Sequence, residues 1–170
     1  VTDAELNASI RVFNDNRAAV RDLYAYRAAK PWQAPTSEVY LVLRAGMVLP
    51  VEEHTALVRE YLDAAEGLQR TKRDNARVVL TGSFCEQPPL ALIKSIEMSG
   101  CYIVDDDFML VTRWLLDDVP ADGNPLEELS KAFLHRSATT AAKYETTREE
   151  KGVFLLQQVR TRGAEGVIFA

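Results

Sequence analysis

The sequence predicts an α/β chain: an N-terminal helical segment, then a small parallel sheet with flanking helices, half of a flavodoxin- or Rossmann-like arrangement. Three observations carry this. Apolar residues recur at helical spacing through residues 1–70. Two short apolar runs with β-branched residues, Arg77–Thr81 and Cys101–Val104, follow a polar connection. A helical pattern lies between those runs, and strand, loop, helix and strand together take about 30 residues, the size of a βαβ unit. The division falls near residue 75: a helical region over 1–75 and an α/β region over 76–170, incomplete at its C-terminal end.

The first helix opens on a capping box, Thr2 with Glu5. Leu6, Ile10, Phe13, Val20, Leu23 and Tyr24 give it an apolar stripe to about Ala29, where Lys30-Pro31 stops it. Asn14, Asp15 and Asn16 weaken its middle and allow a break there. Val39–Leu43 has strand propensity, but Ser37 before it and the pairs Val39/Leu43 and Tyr40/Arg44 favour a helix. Pro50 suits the first position of the next helix, striped by Val51, Leu57, Val58, Tyr61, Leu62, Ala65 and Leu68.

Lys72–Asn75 is the polar connection. Arg77–Thr81 then reads as a buried parallel strand, Gly82–Gln87 as a loop, and Pro88 as the start of a helix carrying Leu90, Ile93 and Ile96. Gly100 is its cap, and Cys101–Val104 is the next strand, closed by Asp105-Asp106-Asp107. A helix is expected over 108–119, then a turn over Pro120–Gly123. Asn124, Pro125, Glu127 and Glu128 start another helix, to about His135. Ser137–Tyr144 reads as a loop, Thr146 or Thr147 as the cap of a last helix ended by Gly163, and Gly166–Ala170 as the third strand. No internal repeat is visible.

Composition narrows the function. The chain has 170 residues, 47% hydrophobic and 26% charged, the balance of a globular protein rather than a disordered one. Its net charge of −5 lacks the basic excess of a free-standing nucleic-acid binder. No apolar run approaches the ~20 residues of a membrane span. The acidic start, Val1-Thr2-Asp3-Ala4-Glu5, is no signal peptide, and two cysteines make no disulfide framework, so the cytoplasm is the expected compartment. A start at Val1 and a final buried strand suggest a piece of a longer polypeptide.

In open α/β sheets, ligands bind beyond the carboxyl ends of the strands. Gly82–Pro89 and Asp105–Asp107 sit there. Cys85 lies near a helix N-terminus, where free N–H groups favour a thiolate; it reads as a nucleophile, a cofactor neighbour, or simply a half-buried loop cysteine. Cys101 reads as a core residue. The two cysteines are sixteen positions apart with no CxxC spacing, so they hold no metal by themselves. Asp105 and Asp106 form a polar site suited to Mg²⁺ with a phosphate-bearing ligand, or else a solvated run or a helix cap. His54 shares a helix face with Val51, Val58 and Tyr61 and reads as a packing histidine; His135 ends a helix, where it faces the dipole. Walker, GxGxxG, HExxH and GxSxG patterns are missing.

The run Arg77–Pro89, with its Cys-Glu-Gln-Pro-Pro loop, followed by Ile93–Glu97 and Gly100–Asp107, resembles the 2-hydroxyacyl-CoA dehydratase D-component family, and within it the smaller cluster-bearing subunits of benzoyl-CoA reductases. Gly163–Phe169 looks like the same family's final strand, and Asn14–Arg17 with Leu23, Tyr24 and Arg27 like its helical start. The likeness covers nearly the whole chain. It implies a [4Fe–4S] subunit of an ATP-dependent enzyme that reduces benzoyl-CoA to a cyclic dienoyl-CoA with reduced ferredoxin as donor. It implies partners: a homologous cluster-bearing subunit, ATP-hydrolysing activator subunits, ferredoxin and an aromatic acyl-CoA, with no nucleic acid and no membrane. The family's cluster cysteines fall outside these residues, two in a preceding α/β domain and one just past the last strand, so no ligand is assigned to Cys85 or Cys101 and the piece alone is expected to be inactive. Gly82, Ser83, Phe84, Cys85 and Gln87 become candidates for lining the substrate pocket, and Glu86 a candidate proton relay if burial raises its pKa.

A sibling reading is dehydration of a 2-hydroxyacyl-CoA, which recycles its electron. Two readings outside this class stand beside it: a receiver-like module using Asp105–Asp107, although no lysine stands near a later strand end, and a helical interaction module without chemistry of its own.

Overall fold

The computed structural model describes residues 1–82, 88–106, 108, 117–135 and 148–170. It is an α/β fold in the order α1 (Asp3–Ala29), α2 (Thr36–Ala45), α3 (Val51–Gly67), β1 (Ala76–Thr81), α4 (Leu90–Met98), β2 (Cys101–Asp106), α5 (Pro125–His135), α6 (Arg148–Arg162) and β3 (Gly166–Phe169). The three strands form one parallel sheet with β1 in the middle, β2 on one side and β3 on the other. Ala76 pairs with Cys101 and Val78 with Gly166, so all three carboxyl ends lie on one edge. Among the described residues, no helix is long and apolar enough to cross a membrane.

Helix α1 begins on its capping box: the Glu5 N–H donates to Thr2 Oγ1 (3.3 Å), and the Thr2 N–H donates to Glu5 Oε2 (2.7 Å). It runs unbroken through Asn14–Asn16. The two asparagines, which disfavour a helix when they bond their own backbone, are engaged elsewhere. Asn14 Nδ2 donates to the Val119 carbonyl (2.9 Å) and its Oδ1 accepts from the Val119 N–H (3.0 Å). Asn16 Nδ2 donates to Thr55 Oγ1 (2.9 Å) and faces His54 Nδ1 at 2.9 Å.

The same face of α1 holds a longer strap. Asn7 donates to the Gly123 carbonyl (3.2 Å), Arg11 to the Ala121 carbonyl (2.9 Å), and Arg21 pairs with Asp118 (2.9 Å). Residues 117–123 therefore run antiparallel to α1, fixed by its side chains. This changes the helix expected over 108–119. Residues 109–116 lie outside the described ones, while Phe108 and Asp117–Val119 are not helical. The Val119 N–H and carbonyl, which a helix would use internally, both belong to Asn14.

The remaining boundaries follow local chemistry. Residues 36–45 are helical, burying Thr36, Val39, Tyr40 and Leu43. Pro50 and Pro89 each precede the helix that follows, one position earlier than a first-turn proline. Pro125 occupies the first turn of α5, where Asn124 Oδ1 accepts from the N–H groups of Leu126 (3.1 Å) and Glu127 (3.2 Å). Gly100 (φ 89°) and Gly163 (φ 57°) make the left-handed turns after α4 and α6. Helices and sheet share one buried cluster that includes Leu23, Tyr40, Val58, Leu80, Ile93 and Phe108.

His54 is the polar wedge of this packing, 1% exposed. Its Nε2 lies 3.1 Å from the Val42 carbonyl, so Nε2–H donates there and Nδ1 accepts from Asn16. Burial pushes its pKa down, and the Val42 hydrogen bond only partly offsets this. Gly46 leaves room for the ring: a Cβ there would meet three ring atoms at 2.6–2.8 Å.

Two outcomes follow. Gly46→Ala should destabilise the fold by about 1–3 kcal/mol through overpacking, whereas Gly67→Ala, whose Cβ meets nothing within 4 Å, should stabilise the end of α3 by up to about 1 kcal/mol. Urea unfolding of the two variants checks this. Because the folded-state pKa of His54 lies below its unfolded value of about 6.5, the stabilisation is complete above that pH. It is lost as pH falls through 6.5 toward the folded value, where the unfolded chain binds the extra proton. His54→Gln should flatten this slope in unfolding measurements between pH 7.5 and 5.5.

Candidate functional site

Two segments leave the carboxyl edge of the sheet. Gly82 follows β1 and is half-buried. Ser83, Phe84, Cys85, Glu86 and Gln87 lie outside the described residues. The chain is described again at Pro88, which is buried, and Pro89 leads into α4. The Tyr40 hydroxyl donates to the Pro88 carbonyl (2.9 Å) and accepts from Arg44 Nη1 (3.1 Å). The Tyr40 ring also meets the Phe108 ring edge-on, with centroids 5.6 Å apart at 83°.

The second segment is the end of β2. Asp105 and Asp106 are not solvated; they are 5% and 4% exposed. Asp106 Oδ2 accepts from Arg27 Nη1 (2.6 Å), and its Oδ1 accepts from the Tyr24 hydroxyl and the Phe108 N–H (both 3.1 Å). Asp105 Oδ2 accepts from Arg162 Nε (2.9 Å), and its Oδ1 accepts from the Asp106 N–H (2.9 Å). Arg27 Nη2 stands 3.8 Å from Asp105 Oδ1, which places one guanidinium against both carboxylates. The Arg27 guanidinium also lies 4.4 Å from the Tyr24 ring centroid.

Arg27 has no exposed side-chain surface. Burial works against its charge, but Asp106, then Tyr24 and Asp105, outweigh it and hold its pKa above the ordinary arginine value. The site is thus a closed polar lock: two carboxylates against two guanidiniums, one from α1 and one from α6. Each of the four carboxylate oxygens already accepts from an arginine, tyrosine or backbone donor. The described residues include no group of three or more His, Cys, Asp or Glu side chains that could hold a metal ion. Asp107 lies outside them.

A separate cleft of about 370 Å³ opens at the amino end of the sheet, with Trp32, Arg70, Arg73, Glu97, Cys101 and Tyr102 among its walls. Cys101 is therefore a half-buried wall residue rather than a fully enclosed one. With Cys85 it makes two thiols in the whole chain. A [4Fe–4S] cluster takes three or four, so these residues do not fit a cluster held by this chain alone, and no reaction step is derived through one.

Arg27 and Tyr40 carry the geometry of the edge, yet neither stands out by motif. Arg27 falls at helical spacing from Val20, Leu23 and Tyr24, and Tyr40 lies between Val39 and Leu43. A charge inside an apolar stripe is the signal that marks Arg27.

With a parallel sheet and two loops at its carboxyl edge in place, the family follows. The chain belongs to the 2-hydroxyglutaryl-CoA dehydratase, D-component family, whose model matches residues 1–170. It is 58% identical to a benzoyl-CoA reductase subunit of Thauera aromatica over 170 residues, which is 100% of this chain and 44% of that protein. It is 28% identical to the beta subunit of lactoyl-CoA dehydratase from Anaerotignum propionicum, over 100% of this chain and 45% of that one. To the (R)-phenyllactyl-CoA dehydratase beta subunit of Clostridium sporogenes it is 23% identical, over 99% and 44%. The chain spans less than half the length of these curated relatives. Each is named as one subunit of an enzyme of the reductase or dehydratase kind, and this chain is a homologue of such subunits.

Breaking one side of the lock leaves a buried charge unpaired, which costs about 3–5 kcal/mol. Arg27→Met and Asp106→Asn should each lower unfolding stability by that order. In a double-mutant cycle the combined variant should lose much less than the sum of the two.

Proposed function

We propose that this chain is part of a [4Fe–4S] subunit of an ATP-dependent benzoyl-CoA reductase. The observation that carries the reading is the contrast in identity: 58% to a benzoyl-CoA reductase subunit across the whole chain, against 28% and 23% to dehydratase beta subunits. The reaction adds two electrons and two protons to the aromatic ring and yields a cyclic dienoyl-CoA. Reduced ferredoxin supplies the electrons, and ATP is hydrolysed by activator subunits. A homologous cluster-bearing subunit completes the enzyme, in the cytoplasm. Following the family resemblance, cluster ligands are assigned to cysteines outside residues 1–170 and not to Cys85 or Cys101.

In this reading the loop after β1 borders the substrate. Gly82, Ser83, Phe84, Cys85 and Gln87 line the pocket, and Glu86 passes a proton to the ring. The chemistry asks for a dry site, because the thioester-stabilised radical anion must be protonated in place and shielded from water and oxygen. A carboxyl group in such a site is kept protonated by desolvation, which suits it to donate. The position of the loop at the carboxyl edge of a parallel sheet supports the assignment. The second reading is a 2-hydroxyacyl-CoA dehydratase subunit, favoured by the family description and by the lactoyl-CoA and phenyllactyl-CoA relatives.

The subunit expressed from its whole gene and purified anaerobically with its partners decides between them. Turnover of benzoyl-CoA with reduced ferredoxin and ATP is expected; turnover of a 2-hydroxyacyl-CoA instead selects the second reading. Glu86→Gln should slow ring reduction by about 10²-fold or more. Unchanged turnover in that variant removes the proton role.

A further inference from the structure

We propose that Tyr40 is a positioning residue that holds Pro88, at the entry of α4, and Phe108, just past β2, in fixed relation at the carboxyl edge of the sheet. The inference rests on the proposed function, in which the loop after β1 borders the reacting group. Tyr40 is 1% exposed and comes from α2, outside both segments. Its hydroxyl holds the returning end of the first segment through the Pro88 carbonyl, and its ring holds the start of the second through Phe108.

The attachment at Pro88 is well chosen. Neither Pro88 nor Pro89 has an N–H, so the carbonyl is the one main-chain polar group through which Pro88 can be held. Two successive prolines also fix φ near −65°; at Pro89 it is −64°. Pinning the Pro88 carbonyl therefore fixes the direction from which the chain arrives out of the loop. Arg44 Nη1 donates to Tyr40 Oη, so the hydroxyl hydrogen turns to the remaining acceptor, the Pro88 carbonyl. Phe108 is tied in turn by its N–H to Asp106, which is locked to Arg27. One phenol thus transmits the rigid end of β2 to the entry of α4.

The test uses Tyr40→Phe, which keeps the ring and deletes the hydroxyl, in the anaerobically purified complex. Val58→Ala, fully buried on α3, an element that belongs to neither segment, is the control for general destabilisation. Hydrogen–deuterium exchange of peptides spanning 82–90 should accelerate about tenfold in Tyr40→Phe, as expected for loss of one anchoring hydrogen bond, while β1 and β2 peptides keep their wild-type rates. Turnover should fall about tenfold with the acyl-CoA KM within about twofold, the pattern of a misplaced reacting group rather than a lost binding contact. Val58→Ala should do neither. Wild-type exchange over 82–90 in a folded Tyr40→Phe complex overturns the inference, as does an equal local acceleration in Val58→Ala. If the wild-type complex turns over neither CoA ester, the functional reading falls, and the localised exchange alone then decides whether Tyr40 sets this edge.

Discussion

The buried contact between Arg27 and the two aspartates ending β2 is the constraint around which this molecule is arranged. A guanidinium without exposed surface persists only where its charge is met at close range. Asp106 meets it at 2.6 Å, Asp105 stands at 3.8 Å, and the Tyr24 ring lies against it. The contact joins the end of a 27-residue helix to the carboxyl edge of the sheet. Arg162 ties α6 to Asp105 of that pair. Three distant parts of the chain, α1, β2 and α6, are thereby placed by one group of charges. Loss of one partner is felt across the fold, whereas loss of a surface pair such as Lys30–Glu66 is a local matter.

Much of this was legible in the sequence. The capping box at Thr2, the stop at Lys30, the two strands separated by a helix, and the glycines after α4 and α6 were all set by nearby residues, and local chemistry acts the same way in any context. What was not legible depended on partners far along the chain. The Asn14–Asn16 stretch reads as a weak point because its partners are Val119, His54 and Thr55. Asp105–Asp106 reads as a solvated run because Arg27 and Arg162 stand 79 and 57 positions away. The end of β1 at Thr81 and the helix after Pro89 were readable; the residues that hold Pro88 between them, Tyr40 and Arg44, were not.

Family membership and geometry bear on function in different ways. The match over the whole chain makes it a homologue of a benzoyl-CoA reductase subunit and a lactoyl-CoA dehydratase subunit. The geometry separates two kinds of polar group within it. Asp105 and Asp106 are committed to arginines and serve as framework. The loop after β1 enters and leaves through firmly held points, Thr81 at the end of the central strand and Pro88 under Tyr40. A framework of that kind lets the intervening six residues differ between enzymes while their endpoints stay fixed.

The strap over residues 117–123 bears on how the sequence can change with time. It is held to α1 largely through its backbone, by Asn7, Arg11 and Asn14, with Asp118 and Asp122 adding surface ion pairs and Val119 packing with Ile10. A backbone read in this way does not specify its own side chains. Substitution is therefore tolerated unevenly across the contact: the polar side chains of the helix carry most of the information, while opposite them Val119 and Ala121 are held by packing with Ile10, and Asp118 and Asp122 only by surface ion pairs. Two segments in register need not share one evolutionary rate: the polar face of α1 that reads a backbone is expected to change more slowly than the exposed acidic positions opposite it.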